Sequence, residues 1–397
     1  MALDQLRSLD AAVQGEDRLM PRLLIIAFYF PPHALVGSFR AAGFHRYLPE
    51  FGWQTHVITA TPTDQPVRDL GVTRLSEVPA ASRFGIQDPS LAWAGRHREA
   101  IAAVIAQQRP DAVLITGGPF LYFKLGPWIA RQFGLPYVLD YRDPFLNPRH
   151  PKRALRDALA RLLERGWSRK ASALLIPTER MRAVVPEPPS VPVHVVENGF
   201  DDAALEALLL VPPSPTLPEA APEDWSFVYA GKYYEKASPL PLLRALKAAS
   251  HPEAKGRLVH VGVPNAQFQA QAVQEALPLV SLGPRSYAES LACIREADVG
   301  VILSEGHLFE ATTKVYDYIA LEKPILGVGV GEGSGIHEIL KRYGRYRLCP
   351  NDPGAVSLAL RGLKALAQEP LATDHAATFG RRFQAKRLAE ILEQVHS

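Results

Sequence analysis

Short apolar runs alternate with amphipathic stretches along most of the chain. In the first half six runs of four to six residues are rich in Val, Ile and Leu, and segments of helical periodicity separate most of them. The runs are Leu23–Phe28, His56–Thr59, Ala112–Thr116, Tyr137–Asp140, Ala173–Ile176 and Val193–Val196. Continuous apolar runs of this length are typical of strands buried on both faces, as in parallel sheets. The pattern therefore predicts a parallel sheet covered by helices on both faces.

A proline-rich segment interrupts this rhythm. Val211–Pro222 contains five prolines, which are incompatible with a helix or a central strand. Afterwards the alternation resumes, with predicted helices at Pro239–Ala249, Tyr287–Ala297 and Thr313–Leu321. The second set of apolar runs is Phe227–Ala230, Leu258–Val261, Val280–Leu282, Val299–Leu303, Pro324–Val328 and Tyr346–Cys349. We therefore expect an α/β protein with two Rossmann-like doubly wound domains that face each other across a cleft.

The expected domain boundaries follow from these patterns. Residues 1–20 form an N-terminal extension, 21–205 the first domain, 206–224 the linker and 225–375 the second domain. Residues 376–397 contain a C-terminal helix, Phe379–His396, which we expect to return to the first domain. Met20 directly precedes the first apolar run, so we interpret it as a possible start that would make residues 1–19 dispensable.

Composition excludes several classes of protein. The 397 residues are 47% apolar and 21% charged, and a net charge of +3 gives no electrostatic argument for nucleic-acid binding. The two cysteines, Cys293 and Cys349, are far apart, so we expect neither a disulfide scaffold nor a cysteine zinc site. A reducing, cytoplasmic compartment fits this usage. No stretch reaches about 18 consecutive apolar residues, so no membrane span is expected.

Several polar residues follow predicted strands. Gly37 and Ser38 lie ahead of a helix predicted at Ala41–Glu50, where backbone N–H groups and the helix dipole favour an anion, although an ordinary turn would use the same residues. Lys232 and Lys236 follow the Phe227–Ala230 strand and are candidates for phosphate binding or ordinary surface lysines.

The helix predicted near Thr313 offers a second group. Thr312 and Thr313 are candidate N-caps, and Lys314 and Asp317 are three residues apart, so they share one helical face. A cation there could contact a diphosphate, and a carboxylate one turn later could accept hydrogen bonds from ribose hydroxyls. A solvated Lys–Asp pair is the alternative.

Metal and dinucleotide motifs are absent from the sequence. There is no Asp-x-Asp pair, and the 12 histidines show no ligand spacing. The run Gly327–Gly335 fails the G-x-G-x-x-G spacing at every start position, which disfavours a dinucleotide dehydrogenase. We therefore predict no metal and no cofactor.

The order of several motifs resembles the retaining glycosyltransferases of family 4. The motifs are Phe30-Pro31-Pro32 with Gly37 and Arg40, Tyr47–Trp53, Gly117–Phe120, Asp140–Phe145, Glu197–Asp201, Tyr229–Lys236 and Thr313–Leu326. The last one resembles a subgroup signature, T-K-x-F/Y-E/D-Y, in place of the full Glu-x7-Glu motif. The resemblance implies the GT-B fold and metal-independent transfer of a sugar, with retention, from a nucleotide-diphosphate sugar to an acceptor hydroxyl.

The resemblance also implies roles for individual residues. Donor binding falls to Gly37, Ser38, Lys232, Lys236, Gly283, Arg285, Thr313, Lys314 and Asp317. Arg142 and Asp143 lie in the acceptor-side loop, where many members have a His, although Asp143 could simply cap an Asp-Pro turn. The first Glu of the family motif corresponds to Phe309 here, and Glu310 is one position late as the contact to the donor sugar.

Two alternatives share the predicted fold. One is a nucleotide-sugar 2-epimerase, and the other is an inactive glycosyltransferase-like partner subunit. The acceptor could be a carbohydrate, a lipid-linked molecule or a small molecule. Residues 149–170 contain eight Lys or Arg, and apolar residues recur at helical spacing between Ala154 and Trp167. This helix either packs its apolar side on its own domain or docks on an anionic membrane.

Overall fold

The computed structural model describes residues 20–33, 36–63, 71–76, 88–146, 154–186, 190–212, 216–219, 224–234, 237–249, 256–309, 312–368 and 376–396. The chain forms two compact units. The first extends to Ile176 and also contains Val184–Val196 and the residues from Ala385 onward; the second contains Pro177–Ala183 and Glu197–Gln384. The change of unit after Val196 is earlier than the boundary expected at 205, because residues 197–205 pack with the second unit.

The described part of the first unit contains a seven-stranded sheet in which every pair of neighbours is parallel. The strand order is β3-β2-β1-β4-β5-β6-β7. The strands are β1 (Arg22–Ala27), β2 (Gln54–Thr59), β3 (Val72–Arg74), β4 (Ala112–Thr116), β5 (Tyr137–Asp140), β6 (Ala173–Ile176) and β7 (Val193–Val195). The helices are α1 (Val36–Tyr47), α2 (Ser90–Arg96), α3 (Arg98–Gln108), α4 (Leu125–Phe133) and α5 (Ala154–Ser168).

The C-terminal helix completes the core of the first unit. Leu23, Ile25 and Ala27 of β1 point to one face of the sheet, where Leu388 and Leu392 are buried with them. Because β1 is a central strand, it must be covered on both faces, and the helix supplies part of that cover.

The described part of the second unit contains a six-stranded parallel sheet of order β10-β9-β8-β11-β12-β13. The strands are β8 (Trp225–Ala230), β9 (Gly256–Val261), β10 (Leu279–Ser281), β11 (Val299–Leu303), β12 (Ile325–Val328) and β13 (Tyr346–Cys349). The helices are α6 (Asp202–Leu210), α7 (Leu240–Ala248), α8 (Ala266–Gln274), α9 (Tyr287–Glu296), α10 (Lys314–Ala320), α11 (Gly335–Tyr343), α12 (Pro353–Leu360), α13 (Leu363–Gln368) and α14 (Arg381–His396), the last of which enters the first unit at Ala385.

Both faces of the second sheet are apolar. Phe227 and Tyr229 of β8 belong to one buried cluster, whereas Val228 between them belongs to the cluster on the opposite face. This alternation within a continuous apolar run confirms the predicted fold class of two Rossmann-like α/β domains.

Two sequence predictions about local structure were wrong, and one alternative is contradicted. Strand β3 was missed because it has three half-buried residues and only one aliphatic side chain. Helix α1 begins at Val36, before the predicted Ala41, because Gly37 and Ser38 occupy buried positions of its first turn without giving an apolar signal. For α5, the alternative in which its leucines pack on the domain is contradicted: Leu159, Leu162 and Leu163 are exposed, because Ala160, Glu164 and Trp167 occupy the inner face.

A close backbone pairing holds together two distant segments of the second unit. Phe200 N donates to Phe379 O at 3.1 Å, and Arg381 N donates to Phe200 O at 3.0 Å. Gly199 has φ +73°, and a Cβ there would lie 2.9 Å from both Phe379 O and Arg381 N. Only glycine therefore fits this turn, since both the backbone conformation and the space exclude a side chain.

Gly199→Ala should lower the free energy of unfolding of the second unit by about 2–3 kcal/mol, because left-handed strain adds to displacement of the paired backbone. Gly134→Ala is the matched control, since Gly134 has φ +69° and ψ +13° with open space around it and should lose only about 1 kcal/mol. Urea unfolding measures both; equal losses would contradict the steric argument.

Candidate functional site

A small recess lies at the carboxyl ends of β1 and β4 in the first unit. The strand order reverses between β1 and β4. Open α/β sheets bind ligands at such a reversal. The recess is lined by Phe28, Tyr29, Gly37, Thr116, Gly117, Gly118 and Arg142. It therefore gathers the ends of two strands, the first turn of α1 and the loop after β5.

Arg142 is fixed in this recess by the loop after β4. Its Nε donates to Gly117 O at 2.5 Å and its Nη2 donates to Gly118 O at 2.8 Å. A Cβ on Gly37 would overlap the guanidinium, so the glycine lets the helix backbone approach the cation directly. The structure thus places Gly37, which was predicted to bind the donor, against Arg142, which was predicted to lie on the acceptor side.

A buried ion pair lies beneath the recess. Arg40 of α1 donates from Nε to both carboxylate oxygens of Asp140 at 2.9 and 3.1 Å, and from Nη2 to Oδ1 at 2.8 Å. Thr116 Oγ1 donates to Asp140 Oδ2 at 2.9 Å. Both charged side chains are buried. Sequence reasoning missed this pair, although both residues belong to the quoted motifs, because the two positions are 100 residues apart.

The other predicted residues of the first unit are placed differently. Ser38 is buried next to Gly37 but does not line the recess, and its hydroxyl has no hydrogen-bond partner among the described residues. Asp143 is exposed at the surface one residue beyond Arg142.

In the second unit, Lys314 lies against the end of β8. A Cβ on Gly231, the residue after β8, would be 3.0 Å from Lys314 Nζ, so this glycine also lets the backbone approach a cation. The ammonium lies 3.9 Å from the centroid of the Tyr229 ring, within the range of a cation–π interaction. Strand β8 pairs with both β9 and β11, so this cation also lies where the strand order reverses.

An aromatic stack supports Lys314 from below. The rings of Tyr229 and Tyr233 are stacked with centroids 5.1 Å apart, and the His260 ring lies 4.1 Å from that of Tyr233. His260 Nε2 contacts Gly231 O at 2.8 Å, so this nitrogen carries the proton. Burial lowers the pKa of His260, and the charge of Lys314 lowers it further. The stack is therefore neutral at physiological pH.

Asp317 is the acidic member of this site. Tyr287 donates its hydroxyl proton to Asp317 Oδ1 at 2.6 Å. Burial raises the pKa of Asp317 to about 6, although the hydrogen bond from Tyr287 and the positive charge of Arg381 oppose the shift. Arg381 itself pairs with Asp201 at 2.7 Å. Sequence reasoning missed Tyr287 and Arg381, which lie on other helices.

Thr313 does not cap helix α10. Its backbone is already helical, with φ −73° and ψ −26°, and its side chain makes no capping hydrogen bond. An N-cap residue usually has an extended backbone, so the prediction that the Thr313 side chain caps this helix was wrong. Its predicted role in donor binding stays a prediction.

The remaining predicted donor residues are spread along the second unit. Lys232 is exposed, and its carbonyl accepts a hydrogen bond from Tyr229 Oη at 2.7 Å. Gly283 has φ +72° and its carbonyl accepts from Gly262 N at 3.0 Å. Arg285 is exposed and 3.9 Å from Glu289. Lys236 and Glu310 lie outside the described residues.

Metal-binding groups and membrane-spanning helices are both absent from the described residues. No group of three or more His, Cys, Asp or Glu comes together there as a metal site. Within the same residues, no helix combines the length and apolar character needed to cross a membrane.

Comparison with protein families identifies one domain. Residues 38–199 match the glycosyl transferase 4-like domain, and most of this range lies in the first unit. A search among curated proteins gives no significant match.

Solved structures share the fold over nearly the whole chain. Sucrose-phosphate synthase from Thermosynechococcus elongatus has 16% identity and a TM-score of 0.65, over 94% of this chain and 98% of that chain. HepE from Anabaena, in complex with UDP-glucose, has 12% identity and a TM-score of 0.58, over 94% and 99%. A Listeria monocytogenes protein assigned as a UDP-N-acetylglucosamine 2-epimerase has 14% identity and a TM-score of 0.56, over 94% and 96%.

The fold is therefore of the GT-B type. This fold and the domain match of residues 38–199 are the two findings that agree with a glycosyltransferase.

Arg40→Met should lower the free energy of unfolding by about 3–5 kcal/mol, because it leaves the Asp140 carboxylate buried without its cation. Arg182→Met, which breaks the exposed pair with Glu179, is the control and should cost less than about 1 kcal/mol. Urea unfolding compares them. A small loss for Arg40→Met would show that the pair is not a structural requirement.

Asp317 should make stability depend on pH. Its folded pKa, about 6, lies above the unfolded value of 3.8, so its stabilising contribution is present below about pH 4 and is lost as pH rises through about 6. Asp317→Asn lacks this loss, so its free energy of unfolding should gain about 3 kcal/mol on that of the wild type between about pH 4 and pH 7.

Tyr287→Phe tests the cause of the Asp317 shift. It removes the hydrogen bond that favours the charged carboxylate, so the pKa of Asp317 should rise further. The loss of stability with rising pH should therefore continue to a higher pH than in the wild type. Urea unfolding across the pH range measures all three proteins. A constant difference between Asp317→Asn and the wild type would contradict the raised pKa.

Proposed function

We propose that the protein transfers a sugar from a nucleotide-diphosphate sugar to an acceptor hydroxyl, with retention of anomeric configuration and without a metal ion. The observation that carries this proposal is the Lys314 ammonium held against Gly231 at the reversal point of the second sheet. The resemblance to the T-K-x-F/Y-E/D-Y subgroup of family 4 supports retention.

A fixed cation suits the leaving group of this reaction. As the glycosidic bond breaks, negative charge grows on the departing diphosphate, and a preorganised cation stabilises that charge. The Tyr229 ring holds the Lys314 ammonium without neutralising it, because the ring carries no net charge. The exposed Lys232, at the end of the same strand, would add a second positive charge.

The other donor contacts are proposed from the family resemblance. Asp317, one turn further along α10, would accept hydrogen bonds from the ribose hydroxyls. Gly283 and Arg285 would contact the base, and Lys236 and Glu310 would contact the diphosphate and the sugar. The complex of HepE with UDP-glucose shows that a protein with this fold binds such a donor.

The first unit would supply the acceptor side. Arg142, held rigidly by two carbonyl groups, and the exposed Asp143 would orient the acceptor hydroxyl. Gly37, in the first turn of α1, would offer its backbone to the leaving group, with Ser38 beside it. No nucleic acid and no cofactor are part of this proposal.

Metal independence is proposed because Lys314 and Lys232 would supply the positive charge that a metal ion would otherwise bring to the diphosphate. The absence of an Asp-x-Asp pair from the sequence supports it. Activity that survives extensive treatment with EDTA would agree with the proposal, and restoration by Mg²⁺ or Mn²⁺ would contradict it.

Two other functions are distinguishable outcomes of the same assays. The epimerase-like structure shares the fold, and an epimerase would isomerise the nucleotide sugar without an acceptor. An inactive subunit would bind the nucleotide and turn over no donor. Release of nucleotide diphosphate that requires an acceptor, with the product anomer identified by NMR, supports retaining transfer over both.

Lys314→Met should abolish most of the stabilisation by the preferred nucleotide diphosphate and lower the transfer rate about 10²–10³-fold, as for other electrostatic contacts to developing charge. A thermal-shift screen of UDP, GDP, ADP, TDP and CMP with their sugars first identifies the donor. A ligand at about 100 times its Kd should stabilise the wild type by about 2.7 kcal/mol.

The control for Lys314→Met is Lys341→Met, which removes an exposed lysine of helix α11. It should leave nucleotide binding and transfer unchanged. Equal nucleotide binding by Lys314→Met and the wild type would refute the donor site.

A further inference from the structure

Helix α5 of the first unit is oriented with its leucines toward solvent. Leu159, Leu162 and Leu163 are 49%, 67% and 40% exposed, whereas Trp167 is buried. At 100° per residue Leu162 and Leu159 lie about 160° and 140° from the buried Glu164, and Leu163 lies about 100° from it. An amphipathic helix that only packed on its own domain would have the reverse arrangement.

The buried face of α5 is specifically anchored. Trp167 Nε1 donates to Tyr141 Oη at 2.9 Å, and Tyr137 Oη donates to Trp167 O at 2.6 Å. Burial raises the pKa of Glu164 to about 8, so the inward carboxyl group is mostly neutral at physiological pH. The helix is therefore held in this orientation by hydrogen bonds and burial, and the exposure of its leucines is a consequence.

Exposed basic residues lie beside the leucines, on one side of the helix and just after its end. Arg161, Arg165, Arg169 and Lys170 are exposed, and the acidic residues of 157–170 are Asp157 and the buried Glu164. At 100° per residue Arg165 lies about 60° from Leu162 and Arg161 about 100° from it, both on the side away from Leu159 and Leu163. We name the surface formed by Leu159, Leu162 and Leu163 with Arg161 and Arg165 the leucine face.

We propose that the leucine face docks on an anionic lipid bilayer. The leucines would enter the acyl boundary while the arginines contact lipid phosphates, which is the division of roles in interfacial helices. A second copy of the chain is a poorer occupant, because a symmetric pairing would bring the arginines of both copies together. This inference does not depend on which sugar donor the protein uses.

Vesicle flotation of the full chain tests the proposal. The wild type should bind vesicles of equal parts phosphatidylcholine and phosphatidylglycerol at low salt, and bind pure phosphatidylcholine at least about tenfold more weakly. Binding should fall as salt is raised, because exposed charges are screened. No binding to the anionic vesicles at low salt would overturn the proposal.

Matched variants locate the contact. Leu162→Ser should weaken vesicle binding about tenfold, whereas Leu358→Ser, which changes a 70% exposed leucine of helix α12, should leave it unchanged. Arg161→Glu with Arg165→Glu should abolish binding. Lys341→Glu with Lys386→Glu makes the same change of net charge at exposed positions elsewhere and should retain most binding.

Two further measurements keep the result unambiguous. Circular dichroism and melting temperature must match the wild type for each variant, and the exposed positions make this the expected result. Sedimentation velocity without lipid should show the same mass for the wild type and Leu162→Ser. A dimer that Leu162→Ser dissociates would assign the leucine face to a second copy and overturn the lipid proposal, as would vesicle binding unaffected by Leu162→Ser.

Discussion

The recess of the first unit depends on the buried pair between Arg40 and Asp140. A carboxylate at the end of a central parallel strand cannot remain buried without a cation and further donors. Arg40 supplies three hydrogen bonds and Thr116 a fourth, so α1, β4 and β5 are fixed to one another. Arg142 follows Asp140 by two residues, and Gly37 precedes Arg40 by three, so the same pair also sets the recess.

In the second unit the cation at the end of the central strand is Lys314. The described groups packed beneath it are uncharged rings and a backbone carbonyl. The Tyr229 ring attracts Lys314 through its quadrupole, and the neutral His260 secures the Gly231 carbonyl without adding charge. In both units a glycine lets the backbone approach a cation closely: Gly37 approaches Arg142, and Gly231 approaches Lys314. Arg142 is a candidate for the acceptor side, and Lys314 is a candidate phosphate ligand.

The sequence was sufficient for the sheets because continuous apolar runs have few interpretations. It also drew attention to Gly37, Arg142 and Lys314, which the structure places near the carboxyl ends of central strands; their roles stay predictions. It could not predict partners such as Tyr287 for Asp317, because the contact depends on the relative placement of two helices. For α5, periodicity defines two faces but does not decide which one is buried; Trp167 and its hydrogen bond to Tyr141 decide it.

The link between Trp167 and Tyr141 also connects the two surfaces of the first unit. Tyr141 lies between Asp140, which anchors α1, and Arg142, which lines the recess. Through the hydrogen bond from Trp167, the helix that exposes the leucine face is fixed directly to that recess. If the leucine face lies on a bilayer, the recess is held at a constant position relative to the lipid surface. Among the acceptors that the sequence left open, such an arrangement favours a lipid-linked one, because a freely diffusing acceptor gains nothing from a fixed distance to the membrane.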